Sequence, residues 1–159
     1  VSLVRFGRYC KVPFFGAGKT RRVPKDVLVE KGWRVFDPMT VGASFDEYRH
    51  YIETSKAEWT VAKHGYVVTD SGWFSERSAN YLASGRPVVV QDTGFGRSLP
   101  VGEGLLSFKT LEEAAEAIDA VEARYRHHSR AARLVAEEYF DSDRVLAALL
   151  DDLSSRSGA

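Results

Sequence analysis

The run Pro-Val-Val-Val at residues 87–90 limits the folds that this chain of 159 residues can adopt. It contains no polar position, so a strand formed by it must be covered on both faces. Segments with helical composition stand on either side, "SERSANYLASG" at 75–85 before it and a long stretch at 110–140 after it. Apolar strands that alternate with helices are typical of a parallel sheet flanked by helices. The sequence therefore predicts an α/β fold with a Rossmann-like parallel sheet.

The remaining segments extend this alternation along the chain. Strands are predicted at "YVVTD" (66–70), "PVVVQD" (87–92) and "GLLSF" (104–108), besides an earlier one at 33–38. Helices are predicted at 25–33, 44–59, 75–85, 110–140 with a break near His127 and His128, and 141–155. Thr110 with Glu113 three positions later is a capping box. The predicted organisation is an irregular segment at 1–24, a Rossmann-like domain at 25–154 and a tail at 155–159.

The last predicted helix carries an apolar stripe, and the long helical stretch carries two adjacent histidines. Leu146, Leu149, Leu150 and Leu153 share one helix face, and we expect that face to be buried against the sheet. The alternative is that the helix leaves an apolar patch open to a partner. His127 and His128 point to different faces of a helix, so they do not form a metal pair. We expect them to lie on the surface or to pack between domains, and we predict no metal site.

Bulk composition excludes several classes of protein. Lys plus Arg and Asp plus Glu number 22 each, and a neutral chain is a poor match for nucleic acid or an anionic membrane. The single cysteine, Cys10, can close no internal disulfide and forms no zinc site. No apolar run approaches the roughly 20 residues needed to cross a bilayer. These features predict a cytoplasmic protein without a membrane span.

The sequence "GAGKT" at 16–20 imitates a phosphate-binding loop of nucleotide triphosphatases. That loop requires a glycine five positions before the glycine of Gly-Lys-Thr, and this position is Pro13. Proline has no N–H group to donate to a phosphate. We therefore interpret the segment as a basic surface loop.

The first candidate site residues follow the predicted strand 66–70. Ligands of open parallel sheets bind at the carboxyl ends of strands, and the next helix is predicted to begin near Ser75. Its free N–H groups suit a phosphate or a ribose oxygen. Gly72 lets a ligand approach the backbone, Trp73 or Phe74 could stack on a base, and Glu76 could accept from hydroxyls. The alternative left open is that Ser75 and Glu76 only cap the helix and that the aromatic side chains belong to the core.

A second group of candidates, "QDTGFG" at 91–96, follows the valine strand. Gly94 and Gly96 give a polar, mobile loop, and Asp92 and Thr93 could bond to sugar hydroxyls. The alternative is an ordinary turn between a strand and a helix. Two such corners on neighbouring strands favour a shared crevice.

The stretch from about Gly32 to Leu150, three quarters of the chain, resembles a known family. Three segments are similar to the donor-binding, C-terminal half of group 1 glycosyltransferases. They are "SGWFSERSANYLASGRPVVVQDTGFG", "LPVGEGLLSFKTLEEAAEAIDAV" and "AARLVAEEYFDSDRVLAALL". These enzymes have the two-domain GT-B fold, so the resemblance implies one half of it. Two glutamates that many members carry are replaced here by Gly72 and Asn80.

The resemblance implies a nucleotide-diphosphate sugar as donor substrate, without a metal or other cofactor, and the transfer of a glycosyl group to an acceptor. The acceptor domain, as a separate or missing partner, would be required, so the chain alone is expected to be inactive, and no catalytic base is identified. The residues implied or suggested to contact the ligand are Lys63, Gly72, Trp73, Phe74, Ser75, Glu76, Arg77, Asp92, Thr93, Gly94, Phe95 and Gly96. The alternative is a non-catalytic interaction or regulatory module with a relict nucleotide pocket. An exposed face between domains would favour self-association.

Overall fold

The computed structural model of the chain describes residues 6–7, 29–31 and 44–157. The chain divides into two compact units, residues 1–56 and residues 57–159. The "GAGKT" loop, the predicted strand at 33–38 and most of the predicted helix at 25–33 lie outside the described residues.

The described part of the first unit contains strand β1 (Phe6–Gly7) and helix α1 (Phe45–Thr54). Ser44 precedes α1, and its hydroxyl accepts a hydrogen bond from the N–H group of Glu47 at 3.2 Å. This N-cap satisfies one of the N–H groups that lack a partner in the first turn. The helix predicted from 44 is confirmed, but it ends at Thr54 rather than near residue 59.

The second unit is built on three parallel strands, β2 (Ala57–Thr60), β3 (Val88–Gln91) and β4 (Leu105–Phe108), in that order across the sheet. Val89 of the central strand lies opposite Trp59 on one side and Leu106 on the other. The three valines of β3 are completely buried. The predicted α/β fold with a parallel sheet flanked by helices is therefore confirmed.

Helices and short turns connect and cover these strands. They are α2 (His64–Val68), α3 (Glu76–Ala83), a 3₁₀ turn (Phe95–Arg97), α4 (Leu111–Ala123), α5 (Tyr125–Tyr139) and α6 (Ser142–Ser157). The capping box of Thr110 and Glu113 is present at the start of α4. The predicted long helix breaks at Arg124, three residues before the position expected from the histidine pair.

The predicted strand at 66–70 is wrong, because residues 64–68 form helix α2. The strand that pairs with β3 on this side is β2, whose residues 57–59 had been included in the helix predicted at 44–59. Glu58 N–H donates to the carbonyl of Pro87 at 2.9 Å, and Ala57 and Glu58 are buried. Val68 is instead exposed. A short apolar run fits a strand or a helix equally well, and burial beside the central strand decides between them.

The apolar stripe of α6 is not buried against the sheet as expected. Each of its leucines is more than half exposed; the values are 55% for Leu146, 52% for Leu149, 63% for Leu150 and 52% for Leu153. The helix itself is confirmed, with the Asp141 carboxylate accepting from the N–H group of Arg144. It continues to Ser157, into the segment predicted as a tail.

Candidate functional site

The two loops predicted from the sequence as candidate sites lie against each other, at the end of the sheet where the parallel strands have their carboxyl ends. We call residues 69–75 the first loop and residues 92–94 the second loop. The N–H group of Gly72 donates to the carbonyl of Thr93 at 2.7 Å, and the Thr93 hydroxyl donates to the carbonyl of Trp73 at 2.6 Å. Thr93 is buried by these contacts. The two loops therefore form one continuous surface, with Thr93 acting as the connection between them.

An ion pair that sequence reasoning missed also joins the loops. The guanidinium of Arg97 donates to the carboxylate and to the backbone carbonyl of Asp70. The pair lies over Gly94, where a Cβ atom would meet both side chains, and Gly94 has a φ of 87°. Arg97 follows the second loop by only three positions, so its position after the "QDTGFG" corner was the available signal. Both charged side chains remain more than half exposed and accessible to a ligand.

The aromatic candidates pack against other aromatic side chains. Trp73 stacks on Tyr66 with ring centroids 4.8 Å apart. Phe74 lies between Phe95 and Phe140, at 5.4 and 5.6 Å. Phe95 is buried. The packing of both side chains supports the alternative in which the aromatic side chains of the first corner belong to the core, although Trp73 and Phe74 are both partly exposed.

The three candidate residues at the start of α3 have different environments: Ser75 caps the helix, Glu76 is exposed, and Arg77 is largely buried. The hydroxyl of Ser75 accepts from the N–H group of Arg77, so Ser75 is the N-cap, and Glu76 is exposed beside it. Arg77 turns into the protein, where its Nε donates to Glu58 at 2.6 Å and a terminal nitrogen donates to Thr60 at 2.9 Å. The sequence missed Glu58, because the helical pattern at 44–59 hid the strand.

The remaining candidates surround the second loop and the start of α2. Lys63 precedes α2 and holds its ammonium 5.6 Å from the centre of the Tyr66 ring. One carboxylate oxygen of Asp92 accepts from the N–H group of Gly94 at 2.8 Å, and the other lies 3.5 Å from the ammonium of Lys109. Gly96 is exposed. The edge thus offers cations that are already close to carboxylates, so an anionic ligand would compete with those partners.

A buried histidine lies on the far side of the same unit. His128 is 1% exposed, and its Nδ1 accepts the N–H group of Gly104 at 3.2 Å. The proton of the neutral ring is therefore on Nε2, which has no hydrogen-bond partner among the described residues. Burial lowers the pKa of His128 below its ordinary value of 6.5, and the charges of Arg124 and His127 lower it further, whereas Glu103 opposes them. The prediction of a surface or interdomain position for this residue is wrong, because the ring packs inside the unit.

We expect the stability of the second unit to fall as the pH is lowered through the range below about 6.5, partly because of His128. Its pKa is depressed in the folded protein, so the unfolded chain binds the proton more readily and gains population at acid pH. Thermal unfolding at several values between about pH 8 and pH 5 measures this slope. His128→Asn keeps an acceptor near Gly104 and should have a shallower slope than the wild type.

The matched control is His64→Asn, which removes an exposed histidine from α2 and leaves in place both His128 and the charged groups that shift its pKa. Its slope should stay close to that of the wild type. Equal slopes for the wild type and His128→Asn would show that His128 does not titrate in this range. Carboxylates such as Glu113, whose pKa is lowered by the N–H groups of Lys109 and Thr110, contribute equally in all three proteins.

Neither a metal site nor a membrane span is found in the part of the chain that the structure describes. Within residues 6–7, 29–31 and 44–157, no three His, Cys, Asp or Glu side chains are grouped so that they could hold a metal ion. No helix in those ranges is long and apolar enough to cross a membrane.

Two curated proteins align with most of this chain, and both carry the same name. The chain is 35% identical over 138 residues to a phosphoribosylamine–glycine ligase of Nostoc sp., an alignment that covers 82% of the chain and 29% of the ligase. It is 30% identical over 117 residues to a phosphoribosylamine–glycine ligase of Ralstonia nicotianae, covering 72% of the chain and 26% of the ligase. The chain therefore spans less than a third of the length of these relatives. No protein-family profile matches it, and no solved structure matches it.

These relatives overturn the identification as a glycosyltransferase. They are named as ligases, so glycosyl transfer, a nucleotide sugar as ligand and an acceptor domain as partner are wrong as interpretations of this chain. The non-catalytic alternative gains no support from them either. The phrases behind the resemblance encode a helix, a buried parallel strand and a turn, which unrelated α/β proteins share. They correctly indicate the fold and do not identify the ligand.

Proposed function

We propose that this chain is a segment of a cytoplasmic ligase that joins phosphoribosylamine to glycine. The observation that carries the proposal is the agreement of two relatives, from different organisms, over 82% and 72% of the chain. An α/β unit with loops gathered at the carboxyl edge of a parallel sheet is compatible with it, because that edge is where such folds bind substrates.

The chemistry of this reaction defines what the site must hold. An amine and a carboxylate do not condense in water unless the carboxylate is activated, and transfer of a phosphoryl group from a nucleoside triphosphate would activate it. The glycine carbonyl would then accept the amine nitrogen, and phosphate would leave as the amide forms. Catalysis of phosphoryl transfer depends mainly on positioning and on charge stabilisation, so cations and N–H groups at a fixed edge are the relevant features.

We assign the phosphate-bearing substrate to the surface formed by the first and second loops. Arg97 is an exposed cation that connects both loops. Lys63 precedes it in the sequence and Lys109 follows it. The N–H groups at the start of α3 add a positive end of a helix dipole. A phosphate would replace Asp70 as the partner of Arg97, an exchange that is small in free energy because the pair is exposed. Arg77, held by Glu58, would support the loop from beneath.

The proposal is tested first by binding and then by turnover. Labelled protein is titrated with ribose 5-phosphate and, separately, with glycine and ATP, and the shifts of backbone amide signals are followed by NMR. We expect ribose 5-phosphate to shift signals of the first and second loops. Arg97→Gln should weaken that binding by about tenfold, which corresponds to the loss of a charge-assisted hydrogen bond. Arg130→Gln, which removes an exposed cation from α5, is the matched control and should bind normally.

Turnover is measured as phosphate release with ATP, glycine, ribose 5-phosphate and ammonia, since ribose 5-phosphate and ammonia form the glycosylamine in solution. Release that depends on glycine would support a complete catalytic role for this chain. Binding at the loops without release would support the role of a substrate-binding segment. If neither ribose 5-phosphate nor ATP binds and no phosphate is released, the proposal is wrong.

A further inference from the structure

The ion pair between Asp70 and Arg97 contains an anion of the protein itself, in contact with the cation to which we assign the ligand. One terminal nitrogen of Arg97 donates to the Asp70 carboxylate, and the other donates to the Asp70 backbone carbonyl at 2.7 Å. A Cβ atom on Gly94 would lie 2.5 Å from both terminal nitrogens, and it would also meet the carboxylate. The pair therefore lies in the space that glycine leaves free at position 94.

Asp70 has a backbone conformation that favours glycine, with a φ of 48°, and it follows the C-terminal end of helix α2. Its N–H group donates to the carbonyl of Val67 at 3.2 Å. The N–H group of Ser71 donates to the carbonyl of Tyr66, also at 3.2 Å. These two hydrogen bonds form a Schellman motif, in which glycine is the usual residue at the position of Asp70. The motif uses backbone atoms alone, so the end of α2 does not require the carboxylate.

The contact between the two loops is also independent of this ion pair. The backbone of Gly72 and the hydroxyl of Thr93 make the hydrogen bonds that join the loops, and Thr93 is buried. The side chains of Asp70 and Arg97 are instead 64% and 58% exposed, and an exposed pair of this kind stabilises a protein little. The carboxylate can therefore leave Arg97 by rotation of its own side chain, without separation of the loops.

We propose that the Asp70 carboxylate is an internal competitor of the ligand, which occupies Arg97 until a phosphate displaces it. The inference rests on the phosphate site proposed above, and it adds that Asp70 lowers the affinity of that site. The apparent affinity equals the intrinsic affinity multiplied by the fraction of molecules in which Arg97 is not paired with the carboxylate. The hydrogen bond from Arg97 to the backbone carbonyl of residue 70 requires no particular side chain there. It can hold the guanidinium in place while the anion is exchanged.

The competition is tested by titrating labelled protein with ribose 5-phosphate and, separately, with inorganic phosphate, followed by NMR. Asp70→Asn removes the charge and keeps the size of the side chain, and it should lower the Kd for both ligands about threefold, the effect of losing an exposed ion pair. Asp70→Gly should lower the Kd as well. Its midpoint of thermal unfolding should be no lower than that of the wild type, because glycine suits this conformation.

Glu137→Gln is the matched control for net charge. Glu137 forms an exposed ion pair with Arg133 on α5, so the variant also removes one carboxylate from an arginine, and its Kd should equal that of the wild type. Arg97→Gln provides the second control. In that background Asp70→Asn should improve binding less than it does in the wild type, because no pair with Arg97 remains to be broken.

Three results would overturn the internal competitor and leave the phosphate site standing. They are a Kd for Asp70→Asn equal to that of the wild type, a higher Kd, and an equal improvement with and without Arg97. A higher Kd would show that the carboxylate positions Arg97 for the ligand. If neither the wild type nor Asp70→Asn binds ribose 5-phosphate or inorganic phosphate, the phosphate site and the competitor are both wrong.

Discussion

Replacing Gly104 by alanine is expected to destabilise the second unit by about 4 kcal/mol, combining backbone strain with overpacking. Gly104 has a φ of 75° and lies directly against the backbone of α5. A Cβ atom there would lie 2.6 Å from the carbonyl carbon of Ala131 and 2.6 Å from the Cα of Ala132, besides the nitrogen of Ala132. Backbone atoms cannot rotate away as a flexible side chain can. The loop would have to withdraw and lose the hydrogen bond from Gly104 to His128.

Gly102→Ala separates the two causes of this loss. Gly102 also has a positive φ, of 128°, but a Cβ atom there would meet nothing within 4 Å. Its replacement should therefore cost only the backbone strain, about 2 kcal/mol. Urea unfolding followed by circular dichroism gives both free energies of unfolding. Equal losses for the two variants would show that the close approach between the loop and α5 does not contribute.

The parts of the fold that could be predicted are those where local pattern and burial agree. The Pro-Val-Val-Val run has no polar face, and it forms the fully buried central strand β3. Thr110 and Glu113 have the spacing of a capping box, which needs only neighbouring residues, and the structure contains it. Local chemistry is sufficient in both cases, because the partners lie within a few residues of each other.

The parts that could not be predicted depend on contacts distant in sequence. Tyr66, Val67 and Val68 look like a strand, yet the place beside β3 is taken by Ala57–Thr60, a segment whose spacing also fits a helix. The stripe on α6 has the pattern of a buried face, but pattern does not reveal whether a covering surface exists. Glu58 was missed because its environment is created by Arg77, 19 residues later.

The candidate site was also predictable only where the relevant contacts are local in sequence. The two corners do lie together, and Thr93 provides the contact. The reason given for it from the sequence was only half right, because the second loop follows strand β3 but the first loop follows helix α2 and not a strand. The position of Phe74 between Phe95 and Phe140 could not be predicted, because Phe140 lies far along the chain. The ligand could not be read from these residues either. A glycine, a helix start and a polar turn bind phosphate groups of many compounds, so they favour a class of ligand and not a particular one.

Arg77→Met is expected to destabilise the second unit by about 3–5 kcal/mol, because it leaves the buried carboxylate of Glu58 without its charged partner. The side chains of Arg77 and Glu58 are 13% and 1% exposed, and their atoms are 2.6 Å apart. One oxygen of Glu58 already has no hydrogen-bond partner among the described residues, so the carboxylate depends strongly on the guanidinium. Arg144→Met is the control, since Arg144 and Glu138 are both more than 60% exposed, and its loss should stay below about 1 kcal/mol.

The double variant with Arg77→Met and Glu58→Leu distinguishes the cost of an uncompensated charge from the loss of a favourable pair. Because removing both charges also removes the desolvation penalty, we expect the double variant to be more stable than Arg77→Met alone, by about 2 kcal/mol or more. Urea unfolding of the four proteins, including Glu58→Leu, gives the coupling free energy. Additive losses would mean that the two side chains stabilise the unit independently. The expected non-additive result would show that the loss in Arg77→Met comes from the uncompensated charge of Glu58 and not from the absence of a strongly stabilising pair.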